Sequence, residues 1–373
     1  MRRREFLQKT LVGAAGLAAT INNPALFSSA MAMPNENAVF VDGLSFIPAD
    51  LSDIKASKLD GFIADISKWE EVTESDGSKT YRRTYNACIN SIKNAYDIAT
   101  NPENNLQLAF SGSDILAAKQ AGKTAIFFQI QGADCIEEDP AQLTDFTDLG
   151  LHILQLTHMR GNRYAGGCLD LVETGLTNDG VALIADMNEK NVIVDVSHST
   201  PQTALEAVFH STKPIIQSHG AARAIVNHAR CSPDNVIKAI ANSGGIFGVF
   251  MMSFWLTLED DPKPEHFLNN IRHVANVGGI DSVAFANDFA MKGQKKLLKL
   301  NNNNAEGVKE YLDWWNSQAE LGILGFDHTP KHVVIPELNN INRVELIYDL
   351  LKTGGFSSYE RDKIMGLNLA RVL

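Results

Sequence analysis

The 373-residue chain is acidic, with 44 Asp and Glu against 33 Lys and Arg and a formal net charge of −11. That sign argues against nucleic acid and anionic membrane surfaces as partners and leaves small molecules open. The length suffices for one large α/β barrel or two smaller domains. The four cysteines (Cys88, Cys135, Cys168, Cys231) show no C-x-x-C spacing, and sequence alone does not pair them.

In chain order, Arg3-Arg4-Glu5-Phe6-Leu7-Gln8-Lys9 comes first, then an uncharged run from Leu11 to Phe27, then Ala30-Met31-Ala32. A basic start, a weakly apolar core and a small-residue exit describe a secretory signal over residues 1–32. The twin arginine points to the twin-arginine route and a periplasmic location. Thr20, Asn22, Asn23 and Pro24 make the run too short and polar for a stable membrane span.

Residues 33–373 read as one domain. Eight short apolar runs recur, each followed by a turn and most by a helical stretch: Ala38–Val41, Phe62–Ile66, Ala125–Ile130, Leu151–Leu156, Val192–Val196, Pro214–Gln217, Ile246–Met251 and Ser282–Ala286. Runs apolar throughout suit parallel strands covered on both faces. Helical periodicity marks Tyr85–Ala99, Asp114–Ala121, Val181–Lys190, Pro201–Phe209, Asn235–Asn242 and Phe267–Val277. Ser113, Asn178 and Ser199-Thr200-Pro201 stand as candidate starts for three of them. Eight alternations predict a closed (β/α)8 barrel of the TIM type more than an open sheet, and no G-x-G-x-x-G follows the first run. Beyond the eighth run, Lys292 to Asn304 is rich in Lys and Asn and opens a polar insertion over about 292–330. Gly307–Leu321 reads as a helix, and Arg343–Thr353 and Ser358–Leu369 as closing helices.

Such a barrel gathers its working side chains at the C-terminal ends of the strands. There the chain places Asp42-Gly43-Leu44-Ser45-Phe46, Gln131-Gly132-Ala133-Asp134, Thr157-His158-Met159-Arg160, Ser197-His198-Ser199, Ser218-His219-Gly220 and Asn287-Asp288-Phe289. His198 and His219, on neighbouring strands, could point two neutral imidazoles at one cation, or stand as hydrogen-bonded rim histidines. Asp288 suits a ligand or general base, or else a solvated turn. His158 suits a donor to a developing oxyanion, or a packed structural histidine. Arg230, in Asn227-His228-Ala229-Arg230, suits a bidentate clamp on a substrate carboxylate, or a surface salt bridge.

Several of these segments also resemble a family. Thr177-Asn178-Asp179-Gly180 with Val194-Asp195-Val196-Ser197-His198, and Pro214 to His219 with Ala222-Arg223-Ala224 and His228-Ala229-Arg230, are similar to segments of the renal-type membrane dipeptidases. So are Leu156-Thr157-His158, Gly279-Ile280-Asp281 through Asn287-Asp288-Phe289, and Ile364 to Val372. The resemblance implies the metal-dependent hydrolase barrel and hydrolysis of dipeptides at a two-zinc centre. It implies that His198 and His219 bind one metal, Asp288 assists the attacking hydroxide, His158 polarises the scissile carbonyl and Arg230 holds the substrate carboxylate. The family is often dimeric, which leaves a homodimer open.

The departures are specific. The family's first strand ends in D-G-H-x-D, whose His and Asp hold the other zinc; here Leu44 and Phe46 stand in those places. The bridging glutamate of the third strand is Gln131, a far weaker ligand. The expectation is therefore one zinc ion on His198 and His219, with Gln131 a weak third candidate. Three readings follow: a metallohydrolase of dipeptides or similar small amides with a degraded second site; a metal-independent enzyme on the same barrel, isomerising or maturing a natural product in the periplasm; and a non-catalytic binder of carboxylate ligands.

Overall fold

The computed structural model describes residues 38–73, 75–293 and 305–373. The expected signal over 1–32, and most of the Lys- and Asn-rich stretch, lie outside the described residues. The strands are β1 (Val41–Ser45), β2 (Gly61–Asp65), β3 (Glu70–Thr73), β4 (Lys79–Arg82), β5 (Leu106–Leu108) and β6 (Thr124–Gln131). After them come β7 (Leu151–Gln155), β8 (Ile193–Asp195), β9 (Ile216–Gly220), β10 (Ile246–Val249) and β11 (Val283–Phe285).

Eight of these run in the order β1-β2-β6-β7-β8-β9-β10-β11, every neighbouring pair parallel, with helices in most of the connections. The result is a nearly closed (β/α)8 barrel. The strands are buried along almost their whole length, as parallel strands under a helical ring must be. Between β11 and β1 the seam is closed at the C-terminal rim, where the Asp288 N–H donates to the Leu44 carbonyl at 3.0 Å. Short β5 pairs with the first half of β6, and β3 and β4 form a separate antiparallel hairpin.

All eight expected barrel strands are present, with two shifts that matter for the site. β1 begins at Val41, the last residue of its expected run, and continues through Asp42 and Gly43 into the rim. A Cβ on Gly43 would meet the Ser218 carbonyl at 2.7 Å and that of Phe285 at 3.0 Å, so the strands crowd here and the position requires glycine. β9 likewise runs past its apolar stretch to Gly220, so Ser218 and His219 sit within the strand. The hairpin β3–β4 escapes an apolar-run reading because its residues are mostly charged or polar.

Helix starts also shift by a residue or two. Thr177, not Asn178, caps its helix, its Oγ1 accepting from the Gly180 N–H at 3.0 Å. Ser111 precedes the helix expected after Ser113, and Asp114 reaches back to the Ser111 N–H at 2.9 Å. Thr200 caps the next, accepting from the Thr203 N–H at 3.0 Å, with Pro201 in the first turn. The helix Ala305–Glu320 lies within the expected polar insertion, yet its Trp315 is buried against Phe326 at 4.5 Å between rings. All four cysteines are buried free thiols.

Candidate active site

The site is organised from beneath by Asp195, the last residue of β8 and fully buried. One carboxylate oxygen accepts from the Ser197 N–H at 2.8 Å, the Ser197 hydroxyl at 2.7 Å and the Ser218 N–H at 3.1 Å. The other accepts from the Ser218 hydroxyl at 2.5 Å and from the Gln129 amide. Burial pushes the Asp195 carboxyl up, and the bonds from Ser218 and Ser197 pull it back.

This hub fixes a tautomer. His219 Nδ1 lies 2.8 Å from Ser218 Oγ, whose single proton is directed at Asp195. Nδ1 must therefore carry the proton and donate it, which leaves the lone pair on Nε2. That atom faces His198 Nε2 at 2.9 Å, so two ring nitrogens from adjacent strands converge. His198 Nδ1, buried, has no partner. His198 also holds φ at 62°, left-handed backbone that costs a non-glycine residue energy and is concentrated at functional sites. Asp288 does the same at φ 58°.

The remaining candidates surround this pair. His158 stacks on His198 with ring centroids 4.3 Å apart. Burial, then the neighbouring arginines, hold His158 and His198 well below the ordinary histidine range; burial and Arg230 do the same to His219. All three are neutral at pH 7, the form that binds metal or accepts a proton. Arg230 is buried, its Nη2 donating to the His219 carbonyl at 3.1 Å, while Nε and Nη1 have no partner. A cavity of about 10 Å³, room for one water, is lined in part by His198, Gln217 and Arg230. Burial pushes Asp288 up to about 7, with Arg230 pulling down and Asp65 and Asp42 adding to the rise.

The departures from the two-zinc pattern are equally concrete. Leu44 is fully buried and Phe46 turns to the exposed rim. The Gln131 side chain is engaged elsewhere, its amide donating to Asp65 at 2.9 Å. Among the described residues, no group of three or more His, Cys, Asp and Glu is arranged to hold a metal ion. Catalytic zinc usually takes three protein ligands. Two converging imidazole nitrogens are what these residues offer a metal ion, one ligand short of that number.

Sequence reasoning missed the support around these groups. Asp195, Ser197 and Ser218 lie within or beside the quoted motifs, but their role shows only when the strands align. Trp69 and Arg83 lie at the foot of the unexpected hairpin. Trp69 meets His158 edge-on at 5.8 Å, and the Arg83 guanidinium covers the indole at 3.8 Å.

Residues 44–318 match the family model for membrane dipeptidase, peptidase family M19. The chain belongs to the membrane dipeptidase family. Among curated members it is 26% identical over 274 residues to dipeptidase tcpJ of Claviceps purpurea, covering 72% of this chain and 55% of that protein. It is 29% identical over 188 residues to dipeptidase verJ of Clonostachys rogersoniana, covering 49% and 48%. The chain thus spans about half the length of these curated relatives. The dipeptidase-family barrel recurs in solved structures. An amidohydrolase from Pseudomonas aeruginosa superposes with a TM-score of 0.73 at 23% identity, over 90% of this chain and 95% of that one. The probable dipeptidase PvdM from the same organism gives 0.70 at 17%, over 90% and 95%. A metallopeptidase from Rhodobacter sphaeroides, liganded with a phosphinate mimic of L-Ala-D-Ala, gives 0.70 at 14%, over 90% and 99%.

Proposed function

We propose that this dipeptidase-family protein hydrolyses dipeptides or similar small amides that carry a free carboxylate. The observation that carries the reading is Arg230: a buried guanidinium with two unpartnered nitrogens, beside a converging histidine pair and a carboxyl poised near neutrality. Arg230 binds the substrate carboxylate and so fixes where the amide lies. His158, neutral and stacked on His198, donates to the oxygen of the carbonyl under attack. Asp288 takes the proton of the attacking water, for which a pKa of about 7 suits it. His198 and His219 would hold one zinc, which when bound supplies Lewis-acid polarisation and a more acidic water. The Asp195–Ser218 chain keeps the His219 lone pair aimed at that position.

The test is a panel of dipeptides and their C-terminal amides. Cleavage of the free acids, suppressed by chelator and by Arg230→Met, is the expected outcome; cleavage indifferent to the carboxylate would sink the reading. A second reading is favoured by buried Leu44 and by Gln131 bonded to Asp65: a metal-independent enzyme in which His158, His198 and Asp288 act as acid–base groups. Activity that survives chelation selects it. Ligand binding without any turnover selects a carboxylate-binding protein instead. We also propose periplasmic export, supported by Arg3-Arg4 ahead of an uncharged run; replacing both arginines by lysine should retain the protein in the cytoplasm.

A further inference from the structure

The β3–β4 hairpin leaves the barrel just after Trp69 and returns at Arg83. Its last register pair is Glu70 opposite Arg82, so its foot brings Trp69 and Arg83 side by side. Arg83 is 4% exposed, and its Nε has no partner. Two carboxylates are close enough to feel its charge, Asp65 and Asp134, and neither satisfies it. Asp65 is taken up by the Ser67 N–H at 2.8 Å and the Gln131 amide at 2.9 Å. Asp134 keeps its own Oδ2 unpartnered. A buried guanidinium nitrogen without a hydrogen bond is costly, and an acidic group would satisfy it.

Its position is as informative as its isolation. Arg83 covers Trp69 at 3.8 Å, Trp69 meets His158 at 5.8 Å, His158 stacks on His198 at 4.3 Å, and His198 meets His219 at 5.0 Å. At the far end Arg230 is tied to the His219 carbonyl at 3.1 Å. Both guanidinium groups, each with an unpartnered nitrogen, thus belong to one cluster of rings, and both act on His158 and His198.

We propose that Arg83 binds a second acidic group of the substrate, on the acyl side of the amide, so that the preferred substrates are amides flanked by two carboxylates. This rests on the reading that Arg230 anchors one carboxylate beside the histidines. Trp69 holds the Arg83 guanidinium flat and walls the subsite, and the polar hairpin carries both.

The experiment is equilibrium binding by calorimetry, which needs no turnover. The probes are N-acetylalanine, with one carboxylate, and N-succinylalanine, which adds a second at the acyl end. A charge-assisted hydrogen bond predicts about tenfold tighter binding of the succinyl compound. Arg83→Met should erase that advantage and leave N-acetylalanine unchanged, whereas Arg230→Met weakens both. Arg83→Lys, which keeps the charge, should retain part of the preference and guards against a misfolded methionine variant. Equal binding of the two probes by the native protein, or a preference that survives Arg83→Met, overturns the subsite and leaves the Arg230 anchor standing. If neither probe binds, both readings fail together.

Discussion

Asp195 is fully buried, yet it decides which nitrogen of His219 is free. Removing the link between them, Ser218→Ala, should weaken zinc binding and turnover about 10–100-fold with the fold intact, as losses behind a metal ligand usually do. A competition titration with a zinc chelator reads this; an unchanged affinity contradicts the assignment. Asp288 makes a second prediction. Its carboxyl, raised from 3.8 to about 7, acts as a base only when ionised, so kcat/KM should climb as pH passes about 7. Asp288→Asn should remove that rise. The same shift acts on stability. The folded chain keeps this proton where the unfolded chain has released it, so the group's contribution declines as pH rises from about 4 to about 7. Urea midpoints of the native protein and Asp288→Asn, compared across that window, measure it. At this scale the sequence was legible where one side chain is at issue: His158, His198, His219 and Asp288 all surface at strand ends, and Arg230 in the loop after β9. It was silent where the role belongs to a bond between strands, as with Asp195 to Ser218.

Strands were easier to foresee than their limits. An apolar run marks a buried parallel strand, but β1 and β9 carry Asp42, Ser218 and His219 within the ladder, where polarity reads as an ending. The hairpin was invisible for the opposite reason. Its alternation is among polar residues, and its value lies in what its foot presents. Crowding around β9 gives a prediction of its own. A Cβ on Gly248 of β10 would meet the Ser218 carbonyl at 2.0 Å, backbone that cannot step aside. Gly248→Ala should therefore cost about 1–3 kcal/mol, read by urea unfolding, and disturb His219 with it. By contrast, Thr200→Ala removes a helix cap and the hydroxyl's bond to the Thr174 carbonyl, and should cost about 1–2 kcal/mol with chemistry preserved.

The barrel as a whole depends on a seam that its ladder does not close. Between β11 and β1, the Asp42 carboxyl accepts from the Asn287 N–H at 2.8 Å, the Asn287 amide and the Leu44 N–H at 3.1 Å. Arg343 then donates to the Asn287 side-chain oxygen at 3.0 Å and to the Leu338 carbonyl at 2.7 Å, drawing the closing helix onto the rim. Asp42→Ala would strand these buried groups and should cost about 3 kcal/mol or more, visible as a lowered urea midpoint. An unchanged midpoint would place the closure elsewhere. This seam also explains how Leu44 is accommodated: its carbonyl accepts from the Asp288 N–H, so its backbone holds that of Asp288 in place.

We propose that His198 and His219 hold one zinc ion, and not two, in this member of the dipeptidase family. Elemental analysis of the purified protein after incubation with zinc tests it, with His198→Ala alongside. About one zinc per chain, lost in His198→Ala, is the predicted result. Two zinc ions per chain, or one that persists without His198, would contradict it, and none at all would remove the hydrolytic mechanism built on the histidine pair.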